Sequence, residues 1–180
     1  GIMGKPMVRN LLKAGHEVIV YDVVESNMDQ VVKDGAKAAV SSKDAAARCG
    51  LVITMLPNSP HVKSVVLGAE GVLEGAAPGT ILVDMSSIAP LASQEICREC
   101  EKKGVKMIDA PVSGGEPKAV DGTLSIMAGG DAETFEEVKS LLLEMGSSAV
   151  HCGPCGAGNT VILANQIIVA VNIAAVAKAF

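Results

Sequence analysis

Two glycines three residues apart, Gly1 and Gly4, head a helix-like run, and Asp22 closes the alternating apolar stretch "EVIVYD" that follows. That order suits a dinucleotide. Glycine lets backbone amides approach a pyrophosphate, a helix N-terminus holds its charge, and a carboxylate about 20 residues on receives the adenosine ribose hydroxyls. Gly4 is also expected to let the first helix pack tightly on a sheet. A carboxylate at Asp22 repels a 2′-phosphate, which favours NAD over NADP. A second candidate is Ser113-Gly114-Gly115, where a hydroxyl and successive exposed amides after a strand form a nest for an anion. Glycine there removes the side chains that block close approach.

Other constellations point to different chemistry. Cys152-Gly-Pro-Cys155 has the spacing of a thiol–disulfide exchange site, which needs its first thiol acidified at the start of a helix directly after a strand. Here Gly156-Ala157-Gly158 is expected to interrupt before the next helix begins. Cys97 and Cys100 have zinc-like spacing but fall inside a helical run rather than on a knuckle turn. His16, His61 and His151 are dispersed, and His61 reads as a solvated residue at a helix start. Asp109 reads as a structural acid at a strand end, with no chemistry assigned to it.

Helix and strand signals alternate along the chain and would position these groups. Residues 4–14 read as a helix with Met7, Val8, Leu11 and Leu12 on one face, stopped by Gly15. "SNMDQVVKDG" has Ser26 as an N-cap and Gly35 as a stop, and "LVITMLP" is a continuous apolar strand of the kind covered on both faces. "TILVDMS", "VKMIDAPV", "LSIMAGG" and "SAVHCG" read as further strands, with "SGGEPKAVDGT" as a Gly-rich loop. The alternation implies an α/β fold, a Rossmann-like doubly wound and mostly parallel sheet, here without its first strand. Residues 1–159 form that dinucleotide-binding domain, and residues 160–180 are expected to begin a long interdomain helix.

Composition excludes several classes. A net charge of −5 gives no basic surface for nucleic acid, and 49% hydrophobic residues are too many for a disordered chain. Five cysteines without secretory features suggest reduced thiols in the cytoplasm. Residues 160–180 are apolar enough for a membrane span, but Asn165, Gln166 and Asn172 are costly in lipid, so a helix buried against a second domain or subunit is expected.

"ITMLPNSPHVK", "DMSSIAPLAS", "DAPVSGGEPKAVDGTLS" and "LANQIIVAVNIAA" together resemble the β-hydroxyacid dehydrogenase family along essentially the whole chain. The resemblance implies that Gly1-Ile2-Met3-Gly4 supplies the pyrophosphate loop, that Leu56 and Pro57 lie beside the nicotinamide ribose, and that Ser87 lies at the nicotinamide end. It gives Ser113, Gly114 and Gly115 the substrate carboxylate, and implies NADH-dependent reduction of a small 3-oxo acid, tartronate semialdehyde first, by a homo-oligomer. A 3-hydroxyisobutyrate-type activity is a further alternative.

One position departs from that pattern. The family's proton donor is a lysine on the long helix, and "GAGNTVILANQ" aligns it without a gap on Ile162. Lys178 lies about 24 Å further along the helix axis, too far to substitute. Asn165 and Gln166, one turn beyond Ile162, remain able to hold the substrate's polar groups. The expectation is therefore an impaired reductase, or else a catalytically silent NAD(H)-binding protein.

Overall fold

The computed structural model describes residues 1–179, so the end of the helix expected to reach Phe180 lies outside the described residues. In chain order the helices are α1 (Gly4–Lys13), α2 (Glu25–Lys33), α3 (Ser42–Ala47), α4 (Ser59–Leu67), α5 (Val72–Gly75), α6 (Pro90–Lys102), α7 (Gly115–Asp121), α8 (Ala132–Leu143) and α9 (Ala157–Ala179). The strands are β1 (Ile19–Val20), β2 (Lys37–Ala38), β3 (Leu51–Thr54), β4 (Ile81–Asp84), β5 (Lys106–Asp109), β6 (Val112–Ser113), β7 (Leu124–Gly130) and β8 (Gly146–Gly153).

The main sheet runs β3-β4-β5-β7-β6, with β8 beside β7, and β1 and β2 form a separate parallel pair. Strands β3, β4 and β5 are parallel, as are β7 and β8, while β7 runs antiparallel to both β5 and β6. The fold is thus α/β and Rossmann-like, with a mixed sheet that is parallel where the strand ends carry the site. Neighbouring residues on one strand enter opposite cores, as a period of two requires. Val83 and Ile108 join Met7, Leu11, Phe135 and Leu142 on one face, whereas Leu82 and Met107 join Val62, Val66, Ile96 and Cys100 on the other. Both faces are covered, which explains why these strands are apolar without alternation.

Local signals set most helix ends. Ser41 and Asp131 accept hydrogen bonds from the backbone N–H groups of Asp44 and Thr134 and start α3 and α8. Gly35, with φ +115°, ends α2. Three expectations need correction. Ser26 is not the cap of α2: Asp22 accepts from Val24 N–H at 2.9 Å and turns the chain two residues earlier, so the helix begins at Glu25. The Gly-rich "SGGEPKAVDGT" is not all loop, because a turn at Gly114 and Gly115 (φ +137° and +66°) launches α7, which stops at the left-handed Gly122. Helix α9 starts at Ala157 rather than residue 160, so Gly158 lies inside it and does not interrupt it.

Beyond its first turns α9 leaves the body of the molecule. Only Gly158, Asn159 and Ile162 of this helix are buried, and Ile167, Ile168, Val171 and Ile173 are all more than 60% exposed. It is the one helix among the described residues long and apolar enough to cross a membrane.

Candidate functional site

Helix α1 carries the first part of the site. Its N-cap, Met3, makes no side-chain cap; Lys5 N–H donates to the Gly1 carbonyl oxygen at 3.1 Å and Pro6 has no N–H, so Gly4 N–H is the group of this turn left to an outside acceptor. A Cβ built on Gly1 or on Gly4 would meet nothing within 4 Å, so there is open room for phosphate oxygens over both. Among the described residues α1 packs on the body through Met7 and Leu11.

Asp22 reaches the same place from the loop after β1. Its carboxylate accepts from Val24 N–H at 2.9 Å and from Asn27 Nδ2 at 3.0 Å, and lies 2.9 Å from the Gly1 nitrogen. Burial pushes its pKa up, but these hydrogen bonds outweigh that and hold it below the ordinary carboxylate value. Asp22 is therefore an ionised acceptor beside the Gly1–Gly4 loop, oriented from two sides.

The second part lies at the C-terminal ends of the parallel strands, where open α/β sheets bind ligands. Thr54, Asp84 and Asp109 stand in register across β3, β4 and β5. Asp84 is fully buried, and one of its oxygens accepts from Thr54 Oγ1 at 2.7 Å and from Ser86 Oγ at 2.6 Å. Ser86 in turn accepts from Leu56 N–H at 2.9 Å, which ties the Leu56-Pro57 turn to the Ser86-Ser87 turn. The other oxygen of Asp84 has no partner among the described residues. Burial, opposed by Ser86 and Thr54 and assisted by the Asp109 charge, pushes its pKa up to about 6. Ser87 and Pro57 are exposed and Leu56 is half-buried, so the three positions face outward from a buried polar base.

Asp109 holds the start of α9. One oxygen accepts from Gly156 N–H at 2.7 Å and the other from Asn159 N–H at 2.8 Å, so a strand end caps a helix from a distance. Asn159 continues the network: its side chain accepts from Ile88 N–H at 2.9 Å and donates to Ser93 Oγ at 3.0 Å. Burial still raises the Asp109 pKa above the usual value against these hydrogen bonds. Gly158 is required here. A Cβ on it would lie 2.4 Å from the Met127 carbonyl oxygen and 2.7 Å from that of Asp109.

Ile162 follows Asn159 by one turn, on the buried face of α9, and is 2% exposed. Asn165 is half-buried and Gln166 exposed, and Asn165 Nδ2 donates to Gln166 Oε1 at 3.3 Å. Ser113 is half-buried at the edge strand β6, and Gly114 and Gly115 are exposed after it. The strand-end turns of Leu56 and Ser87 are thus tied together, as are Gly1 and Asp22. Ser113–Gly115 and Asn165–Gln166 stand on separate elements with no hydrogen bond between them. Thr54, Asp84, Ser86 and Asn159 were not singled out from sequence. The recurring polar residue closing "LVIT", "ILVD" and "KMID" was the available signal.

The thiols do not form an exchange site of the expected kind. Burial raises the Cys152 pKa, and interaction with Cys97 together with burial raises that of Cys155, the opposite of an acidified nucleophile at a helix start. No group of three His, Cys, Asp or Glu side chains converges to hold a metal among the described residues.

Comparison with known proteins agrees with this geometry. Residues 1–153 match the NAD binding domain of 6-phosphogluconate dehydrogenase. An NAD-dependent L-serine dehydrogenase of Pseudomonas aeruginosa is 44% identical over 99% of the chain and 60% of its own length. A 2-hydroxy-3-oxopropionate reductase of Escherichia coli is 40% identical over 99% of the chain and 61% of its own length. Among solved structures, the Mycobacterium tuberculosis 3-hydroxyisobutyrate dehydrogenase with L-serine superposes at a TM-score of 0.94 and 36% identity, covering 100% of the chain and 61% of that protein. The chain spans about 60% of the length of the curated relatives it matches. Identity to the serine enzyme exceeds that to the oxopropionate reductase, so likeness alone does not rank tartronate semialdehyde first.

Proposed function

The chain belongs to the family of the NAD binding domain of 6-phosphogluconate dehydrogenase, and from that premise we propose that it is the cofactor-binding part of an NADH-dependent reductase of small 3-oxo acids. The observation that carries the reading is the place of the Asp22 carboxylate, oriented by Val24 N–H and Asn27 Nδ2, beside the open Gly1–Gly4 loop at the head of α1. Loop amides take the pyrophosphate charge and Asp22 takes the ribose hydroxyls. NADH supplies the hydride when bound. Leu56 and Ser87, held together through Ser86, then border the nicotinamide end, and the buried strand-end acids keep those turns fixed.

The substrates named for the relatives, L-serine, 3-hydroxyisobutyrate and 2-hydroxy-3-oxopropionate, share a carboxylate and an oxygen at C3. In this proposal the Ser113 hydroxyl and the amides of Gly114 and Gly115 bind the carboxylate, and Asn165 and Gln166 hold the remaining polar groups. Tartronate semialdehyde is the first substrate to try, and L-serine with NAD the second. Ile162 leaves the carbonyl oxygen without a proton donor, so turnover is slow. That residue also favours a second reading, a catalytically silent NAD(H)-binding protein. The apolar face of α9 is proposed to dock against the remainder of a longer protein or against a second copy.

The two readings separate in an NADH-consumption assay of the full-length protein at high enzyme concentration. Slow, substrate-dependent oxidation of NADH with tartronate semialdehyde is the expected result. No oxidation with any C3-oxygenated acid, in either direction, would leave only the silent binder.

A further inference from the structure

Helix α6 carries two thiols in contrasting settings. Cys100 is fully buried in the core, and burial first, then its neighbours Cys97 and Glu101, push its pKa up to about 12. It is a packing residue. Cys97 is half-buried and lines the cleft between the end of α6, β5 and the loop before α9, together with Glu101, Pro154 and Cys155.

Cys155 comes into that cleft because the loop folds back across α6. Gly156, at φ +91°, passes so close that a Cβ on it would lie 3.1 Å from the Pro90 carbonyl oxygen and 3.0 Å from Gln94. The Cys155 thiol points to the Ser93 carbonyl oxygen at 3.6 Å, one turn before Cys97 on the same helix face, and both cysteines pack into the same cleft. Their settings differ. The Cys155 thiol beside it holds Cys97 below the ordinary thiol value against burial and Glu101, while Cys155 itself is driven up. The Cys97 thiol donates to Glu101 Oε1 at 3.8 Å, which gives its proton an acceptor. The Cys152 thiol donates to the Val150 carbonyl oxygen at 3.4 Å.

We propose that Cys97 and Cys155 form a peroxide-responsive dithiol site, which closes to a disulfide joining α6 to the start of α9. The Cys97 thiolate attacks one oxygen of hydrogen peroxide, the O–O bond breaks, and the leaving hydroxide takes a proton to become water. The resulting sulfenic acid is attacked by the Cys155 sulfur as its proton is lost. The S–S bond forms, the S–O bond breaks, and a second water leaves. Two thiols have then given two electrons to one peroxide. The bond fixes the junction that Asn159 already bridges to Ser93, at the foot of the strand-end network. This inference stands independently of the substrate reading.

The test uses the full-length protein, reduced, freed of reductant, exposed to excess hydrogen peroxide, then denatured and alkylated for non-reducing peptide mapping. The five free thiols of this chain should fall to three, with one Cys97–Cys155 linked peptide that dithiothreitol dissolves. Cys152→Ser should close as readily as the wild type, and Cys97→Ser should form no intramolecular disulfide. Wild-type protein that retains all five thiols, or that links Cys152 to Cys155 instead, would overturn the proposal without reference to how any variant folds.

Discussion

Replacing Ile162 by lysine is expected to raise NADH-dependent reduction of tartronate semialdehyde by the full-length protein roughly 10²–10⁴-fold, the usual worth of a placed general acid. The argument rests on what an isoleucine cannot do. When hydride reaches the carbonyl carbon, negative charge develops on oxygen, and a hydrocarbon neither donates a proton nor offers a positive charge to it. Ile162 sits on the face of α9 that turns toward the body, one turn after Asn159 and one turn before Asn165. A lysine in this buried position starts with a depressed pKa, because burial disfavours its charged form, and so releases its proton more readily near neutral pH. Initial rates at saturating NADH provide the measurement. Unchanged rates in an Ile162→Lys protein that still binds NADH would show that the proton donor has been assigned to the wrong position.

Removing the carboxylate that anchors α9 should have the largest effect on stability. Asp109→Ala leaves the buried N–H groups of Gly156 and Asn159 without acceptors, and each such loss costs about 1–3 kcal/mol. Part of this is returned because the burial that raises the Asp109 pKa no longer has a charge to act on. A net loss of about 3 kcal/mol remains, which lowers Tm by roughly 6–12 °C in a protein of this size. Asp109→Asn keeps one acceptor oxygen and should lose less. Thermal melting followed by far-ultraviolet dichroism measures both, and amide exchange at Gly156 and Asn159 should accelerate in the alanine variant. A change under about 1 kcal/mol would mean that α9 is held mainly by packing at Gly158 and Ile162.

Much of this architecture follows from short-range patterns. Caps at Ser41 and Asp131, the stop at Gly35 and the doubly buried strands β3 to β5 each depend on residues within a few positions of one another. What escaped was long-range. Asp109 accepts from Gly156, 47 residues later and just before α9, and no local pattern ties the two together. Gly158 looked like a helix breaker, yet its lack of a Cβ is what admits α9 against β5 and β7. Strand β1 was legible as "EVIVYD", but only Ile19 and Val20 enter the ladder, since β2 is the one strand paired with it among the described residues. The site divides the same way. Gly1, Gly4 and Asp22 follow from spacing, whereas the Thr54–Asp84–Ser86–Leu56 chain depends on strand register, which the one-dimensional pattern does not state.

The central claim is that this chain holds a dinucleotide at the Gly1–Gly4 loop and Asp22, with isoleucine at the position proposed for the proton donor. Calorimetric titration of NADH into the full-length protein tests it most directly. The account predicts saturable binding of one dinucleotide per chain, weaker binding of NADPH because Asp22 repels a 2′-phosphate, and loss of most affinity in Asp22→Ala. A folded full-length protein that takes up no NADH would contradict it.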